Sequence, residues 1–413
     1  MGNPQQELPT NGVAQPRTTR SGINSEDLSV AIVGGSLVGP ATELFLRRQG
    51  VRNVVTYEAL PAAQSHSGGV MGLRYDTVSL LAELGVDVPA IEALDDLDVY
   101  AYDLTDDGPQ PRNVSAFPGM VTSWDALHAQ LRRLVEVRTH HRLTGLDTAG
   151  GRWRLHFAHR SDAVADVVVF ADGRHSTGRA LLDPGRPLHY QGYIVWRGLA
   201  APPEPLPRGF ERYYDLRRGR LFSLTAPLRT CGRCYWELSH NLPEPVYTAI
   251  AGAGPTERAF ILPQHIDGTA REVIRDAAQG LPDTFRALIE GSEVAGIPVN
   301  DTTMPQHALF TGTGGAVAVL LGDALLPVRL QVGAGLNQGL RQAAELADAL
   351  SSPARLRGLE RWEQHTLDRL ALWVELGRSR AHRNNLGRYD AVRPGRTTAP
   401  AADQWSEPQW VTA

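Results

Sequence analysis

GDALLPVRLQVGAGLNQG, residues 322–339, is the stretch on which the reading of this chain turns. It follows an apolar, strand-like run at 316–321 and precedes a helix-like run at 340–350. A helix start leaves backbone N–H groups unpaired and carries the positive end of the helix dipole. A carboxylate at a strand end, followed by paired glycines opening a helix, therefore suits a polar, partly anionic cofactor. A second loop of this kind, GGSLVG at 34–39, lies almost the whole chain away. Two such loops at opposite ends of one sequence imply a single cofactor gripped from both sides.

The N-terminal loop has the better-defined surroundings. Residues 28–33 form a short apolar run of the type expected for a buried parallel strand. The loop follows at once, residues 40–48 then read as a helix closed by Gly50, and a second strand-like run at 53–57 ends on Glu58. Gly34 makes the tight turn, small Ser36 lets the backbone approach a pyrophosphate, and Gly39 lets helix and strand pack closely. Glu58 stands near the ~20-residue distance expected of a ribose-binding carboxylate. Strand, glycine turn, helix and acid together predict an adenine dinucleotide site, with the acid favouring NAD or FAD over NADP in this position.

Bulk properties set the limits. With 413 residues the chain can bury a sizeable core, expected as two interleaved domains. A formal net charge of −4 argues against nucleic acid or an anionic membrane as the main partner. No segment approaches the ~20 apolar residues of a membrane span. The first residues lack an apolar signal-peptide core, so a cytoplasmic location is expected. The chain contains no lysine, which excludes mechanisms needing an amine side chain. Its two cysteines, Cys231 and Cys234, read as a turn between strands; a tetrahedral zinc site needs four ligands, and no metal is expected.

Between the two glycine loops the texture changes. Residues 165–179 read as a third strand running into a polar loop crowded with Asp172, Arg174, His175 and Arg179. From 191 to 240, aromatic, β-prone runs separated by Pro, Gly and Arg turns suggest an antiparallel sheet. Helix-like segments at 270–279 and 282–290 follow, and a long helical stretch covers roughly 354–385. The expected organisation is an α/β fold. A Rossmann-like domain with a parallel sheet occupies 28–185 and 306–350, an α+β substrate domain with an antiparallel sheet occupies 186–305, C-terminal helices span 351–385, and tails cover 1–27 and 386–413.

In this order, Gly34 to Gly39 with Glu58, Ala171-Asp172-Gly173 with Arg179, and Gly322-Asp323 through Pro327, Gly333, Gly335 and Asn337 resemble the motifs of the FAD-dependent class A aromatic hydroxylases. The resemblance covers about residues 28–375. GGSLVG, residues 122–124 and residues 192–198 look most like the 2,6-dihydroxypyridine hydroxylase branch. It implies that Gly34, Gly35, Ser36, Leu37, Val38 and Gly39 line the FAD pyrophosphate and that Glu58 binds the adenosine ribose. Asp323 would accept from the ribityl chain. Backbone around Gly333, Gly335, Leu336 and Asn337 would sit against the pyrimidine side of the flavin ring, Gly69, Val70, Trp124 and Pro327 would also bind the cofactor, and Asp172, His175 and Arg179 would serve FAD and the nicotinamide donor. Leu326 stands where the family usually has histidine, Leu330 where it usually has proline, Trp124 where many members have arginine, and Ala59 where arginine is frequent.

The resemblance further implies a monooxygenase that takes electrons from NADH or NADPH and inserts one oxygen atom of O₂ into an aromatic or heteroaromatic small molecule through a flavin C4a-hydroperoxide, in bacterial secondary metabolism or aromatic degradation. His240, Tyr213 and Tyr235 are candidate substrate-activating groups, and Arg197 and Arg329 candidate partners for an acidic substrate. A monomer or homodimer is expected. The alternatives are epoxidation, Baeyer–Villiger oxidation or dehydrogenation on the same fold, and a non-catalytic binding protein. A lysine-dependent halogenase is excluded by the missing lysine.

Overall fold

The computed structural model describes residues 25–61, 69–257 and 260–387; the expected tails at 1–27 and 386–413 lie almost wholly outside them. Its first layer is a six-stranded sheet in the order 309–311, 317–320, 167–170, 29–33, 53–57, 137–138, parallel except for the antiparallel edge strand Leu309–Thr311. Val167–Phe170 and Val317–Leu320 are buried at every position. Burial on both faces explains why these strands read as continuous apolar runs rather than alternating ones.

The helices Val38–Arg48 and Gly335–Ser351 lie against each other beside this sheet. Their contact is close because glycines make it so: a Cβ on Gly339 would come within 2.8 Å of a Val38 methyl. The two glycine loops, some 300 residues apart in sequence, therefore open helices that start side by side. A three-stranded antiparallel sheet of Leu143–Ala149, Arg152–Phe157 and Ala163–Ala165 packs on the parallel sheet.

A second sheet of seven strands runs in the order 293–301, 189–200, 234–241, 220–225, 210–215, 98–105, 108–116. It is antiparallel as the aromatic runs suggest, apart from one parallel pair, Phe210–Asp215 beside Asp98–Thr105. The strands Asp98–Thr105 and Gly108–Ala116 fall within the stretch 28–185 yet complete this sheet, so the chain crosses between the layers earlier than position 186. One face is covered by the helices Glu244–Ala251, Gly268–Ala278 and Asp283–Glu290 around Trp196, Phe222, Trp236 and Tyr247. The opposite face meets the segments at 70 and 117–121 and the end of the C-terminal helix Arg355–Arg383.

The CGRC segment forms the turn before strand Cys234–Asn241, with Cys231 exposed, Cys234 buried and no disulfide between them. No helix among the described residues is long and apolar enough to cross a membrane.

Candidate active site

The N-terminal loop is built so that nothing but glycine fits at its corners. Gly34 has φ +116°, and a Cβ there would lie 2.3 Å from the Ala171 carbonyl oxygen. At Gly39 a Cβ would sit 1.9 Å from the Gly34 carbonyl oxygen. Glu58 caps the next strand: one carboxylate oxygen accepts from the Gly35 amide at 2.8 Å and the other from the Leu60 amide at 2.9 Å. The helix that follows begins at Val38, with Leu37 at its N-cap, and no side chain caps it. Its first amides are left available to a ligand.

The second loop mirrors the first. Gly322 and Gly333 take left-handed backbone, φ +54° and +63°, and the helix from Gly335 also starts without a side-chain cap. Asp323 is part-buried and its carboxylate has no hydrogen-bond donor among the described residues, although Gly335 lies close to it. Burial pushes its carboxyl up, against the opposing pull of Arg174 and Arg179. Leu326 and Pro327 are buried, whereas Leu330 is 46% exposed, so the two departures from the family pattern sit in different surroundings.

Asn337 ties this loop to the rest of the site. Its side chain accepts from the Arg74 amide at 3.0 Å and donates to the carbonyls of Gly72 at 2.9 Å and Gly333 at 3.0 Å. The strand Val70–Arg74 is thereby pinned beside the second glycine turn. At the start of the same strand, the Gly69 carbonyl accepts from the Trp124 amide at 3.1 Å, and Val70 packs with Tyr235, Phe117 and Val121.

The polar loop after the third strand is mainly a staple. Asp172 caps the helix Thr177–Leu182, accepting from the Ser176 hydroxyl and from the amides of Thr177 and Gly178. Arg179 reaches across to donate to the carbonyls of Asp323 at 3.1 Å and Ala324 at 3.0 Å, and also to that of Arg174. His175 and Arg174 both pack on Phe260. The loop holds the second glycine turn in place.

The seven-stranded sheet separates the candidate substrate groups by face. His240 lies on the helix-covered face, where its Nε2 accepts from the Trp196 indole N–H at 2.7 Å and burial lowers its pKa to about 4. Tyr213 shares that face; its hydroxyl donates to Glu211 at 2.5 Å, and its ring packs on Phe285. Burial drives its pKa far above the ordinary phenol range. Both expectations for these residues are therefore corrected: each is a satisfied core group with a sheet between it and the glycine turns.

Tyr235 and Arg197 point the other way. The strands pair Arg197 with Glu237, and Tyr235 lies two residues along on the same face. Tyr235 is buried and donates its hydroxyl to Glu237 at 2.7 Å. Burial first, then the neighbouring Glu237 charge, raise its pKa well above 10, so it stays a neutral donor and is no base. A Cβ on Gly69 would lie 2.8 Å from the Tyr235 hydroxyl and 2.9 Å from an Arg197 nitrogen. One short strand thus connects the second glycine turn, at Gly72 and Arg74, with an Arg197–Tyr235–Glu237 cluster, at Gly69. Glu237 is not among the candidate residues that the sequence singles out. Its signal was available, because residues 235, 237 and 239 share one face of a strand and 236, 238 and 240 the other.

Arg329 is not available to a substrate. It forms a two-pronged ion pair with Asp301, at 2.6 Å for the shorter contact, and donates to Gln191 at 2.8 Å. It joins the second glycine loop to the seven-stranded sheet.

These features fit FAD. Two uncapped helix starts offer amides to a pyrophosphate and to the pyrimidine edge of a flavin. The glycine corners leave room that a Cβ would fill, and Asp323 is a part-buried acceptor lacking a donor among the described residues.

No protein-family model matches the chain. It is 26% identical over 366 residues to 2,6-dihydroxypyridine 3-monooxygenase of Paenarthrobacter nicotinovorans, covering 82% of this chain and 87% of that one. The solved structure of 2,6-dihydroxypyridine-3-hydroxylase from Arthrobacter nicotinovorans superimposes with a TM-score of 0.76 at 22% identity, covering 89% and 95% of the two chains. Klebsiella pneumoniae HpxO, complexed with FAD and uric acid, superimposes with a TM-score of 0.70 at 18% identity over 87% of this chain and 89% of that one. The fold is the one these flavoproteins share.

Proposed function

We propose that this chain is an FAD-dependent monooxygenase of the class A aromatic hydroxylase type, using NAD(P)H and O₂ to hydroxylate a small hydroxylated N-heteroarene. The observation that carries the reading is the strand Val70–Arg74, which leads from the second glycine turn to the Arg197–Tyr235–Glu237 cluster. It gives a cofactor grip and a polar substrate face a common wall. The relative and the two structures described above act on or bind hydroxypyridines and uric acid, which supports the same substrate class.

In this reading the amides at 34–39 and the Val38 helix start would hold the pyrophosphate, Glu58 the adenosine ribose, and Asp323 a ribityl hydroxyl. Amides at 333–337 would hold the pyrimidine side of the flavin, where the positive end of the helix dipole would stabilise negative charge. Bound FAD supplies electron transfer from the nicotinamide donor and the activation of O₂. The remaining work falls to side chains. Arg197 donates to the exocyclic oxygen of the substrate. Glu237 accepts the ring N–H or hydroxyl proton, favouring the electron-rich anion that oxygen insertion needs. Tyr235, fixed as a neutral phenol, holds the Glu237 carboxylate in position. Apolar Val70, Phe117, Val121 and Leu199 exclude water from one side.

Arg197 and Glu237 present a donor and an acceptor side by side on neighbouring strands. That pattern complements the oxygen and ring N–H of a pyridone or purinone. A benzoate carboxylate would instead bring a like charge towards Glu237. The test is substrate-stimulated NAD(P)H oxidation by purified, FAD-supplemented protein across hydroxypyridines, hydroxypurines and hydroxybenzoates. Stimulation with hydroxylated product from an N-heteroarene is expected. A preparation that stays colourless with added FAD, or oxidation that ends wholly in H₂O₂ with every compound, overturns the proposal.

A further inference from the structure

Beyond the far edge of the parallel sheet lies an open, solvent-facing cavity of about 420 Å³, lined by the exposed His140, Arg142, His159 and Arg160 and by half-buried Ala158. Two chain segments form it: 140–142, which leads into strand Leu143–Ala149, and the turn 158–160 after strand Arg152–Phe157. The Arg160 guanidinium donates to the His140 carbonyl and joins the two lips. His140 and His159 both take left-handed backbone, φ +59° and +57°. Only one other non-glycine residue among the described residues, Asn385, has a positive φ.

The charges of this cavity are unbalanced. Two guanidinium groups and two imidazoles surround it, and among the described residues none of the four is paired with a carboxylate. The nearby acids are engaged elsewhere. Asp147 and Asp162 both bind His156, and the Glu58 oxygens accept from the Gly35 and Leu60 amides. In a chain of net charge −4, two guanidinium groups gathered without a carboxylate mark a place for an anion.

Position narrows which anion. The His141 amide donates to the Glu58 carbonyl at 2.8 Å, and the His140 amide to the Leu60 carbonyl at 3.4 Å. The cavity therefore adjoins the ribose-binding end of the cofactor site. The Glu58 carboxylate there suits a free ribose 2′-hydroxyl, while the adjoining cavity suits a phosphate monoester. The reaction consumes one further dinucleotide, the electron donor, and its phosphorylated form carries such a group.

We propose that this cavity binds the 2′-phosphate of NADPH through Arg142 and Arg160, so that the chain prefers NADPH to NADH. The proposal rests on the monooxygenase reading for the identity of the donor. The test titrates FAD-loaded protein with 2′,5′-ADP, 5′-AMP and inorganic phosphate by calorimetry, for the native chain, an Arg142→Ala/Arg160→Ala variant and an Arg142→Lys/Arg160→Lys variant. In the native chain 2′,5′-ADP is expected to bind at least tenfold more tightly than 5′-AMP or phosphate. The alanine variant should lose that advantage and the lysine variant recover part of it. In parallel, the KM for NADPH in FAD reduction should rise at least tenfold relative to that for NADH in the alanine variant. Equal binding of 2′,5′-ADP and 5′-AMP by the native chain overturns the proposal. So does an advantage that survives in the alanine variant, or phosphate binding as tight as that of 2′,5′-ADP. Both arginines are exposed, so the variants should melt as the native chain does. The binding arm needs no turnover, so failure of the oxygenase reading and failure of this proposal are told apart.

Discussion

The two faces of the seven-stranded sheet carry similar residues and offer them to different surroundings. On the helix-covered face, Tyr213 and His240 are tied to Glu211 and Trp196 and packed among aromatic rings. On the other, Tyr235 is tied to Glu237, beside Arg197 and the backbone of Gly69. Each face has a tyrosine bonded to a glutamate. What distinguishes them is the covering layer: three helices on one side, and on the other the strand that leads to the second glycine turn. Residue chemistry alone does not make a site; the element packed against it decides.

That contrast can be broken by mutation. The largest expected effect is that of Glu237→Gln or Arg197→Met. Each should lower substrate-stimulated turnover roughly 10- to 150-fold, the ~1.5–3 kcal/mol of a hydrogen bond to a charged group, with FAD content unchanged. Steady-state kinetics with FAD occupancy read from the flavin absorbance would measure it. Asp323→Ala acts on the cofactor instead and should weaken FAD binding by a similar ~1.5–3 kcal/mol, measured by fluorescence titration of the apoprotein. Unchanged affinity would mean that the ribityl chain lies elsewhere.

Tyr235→Phe removes one neutral donor from Glu237 and should cost about 0.5–1.5 kcal/mol in kcat/KM, a loss of roughly 2- to 13-fold. The smallest effect on turnover belongs to the other face. His240→Phe should leave kcat and KM nearly unchanged while costing about 1–3 kcal/mol of stability, because the Trp196 N–H loses its acceptor.

The same substitution should change the response to acid. The folded-state pKa of His240 is about 4, below its ordinary value of 6.5, so between those values the unfolded chain binds the extra proton. Stability from this group is full above pH ~6.5 and is lost as pH falls towards 4. Denaturant melts of the native chain should weaken across that window, and those of the His240→Phe variant should weaken less.

The geometry of the N-terminal glycine turn was legible because it is local. Gly34, Gly39 and Glu58 are fixed by the turn between one strand and the next helix, and a turn's demands are written in consecutive residues. The four inner strands of the six-stranded sheet were readable for a related reason, because buried strands appear as apolar runs, whereas the short edge strands at 309–311 and 137–138 leave no such run. The proposed substrate face was harder, because it depends on which side of a strand is covered. Tyr235 and His240 lie five apart in one strand, an odd separation, so no face can hold both. Parity would have shown that one of them had to be discarded, but not which. Arg329 looked available in sequence because its partner, Asp301, arrives from another layer. The strands at 98–116 joined the second sheet through a parallel pairing that no local pattern announces.

The most direct test of this account compares Glu237→Gln and His240→Phe side by side. The quantity is hydroxylated product formed per NAD(P)H consumed, with an N-heteroarene that stimulates the native protein. The account predicts that the Glu237 variant keeps its FAD and loses product formation, while the His240 variant stays at the native yield. Product formation lost in the His240 variant and retained in the Glu237 variant would contradict it.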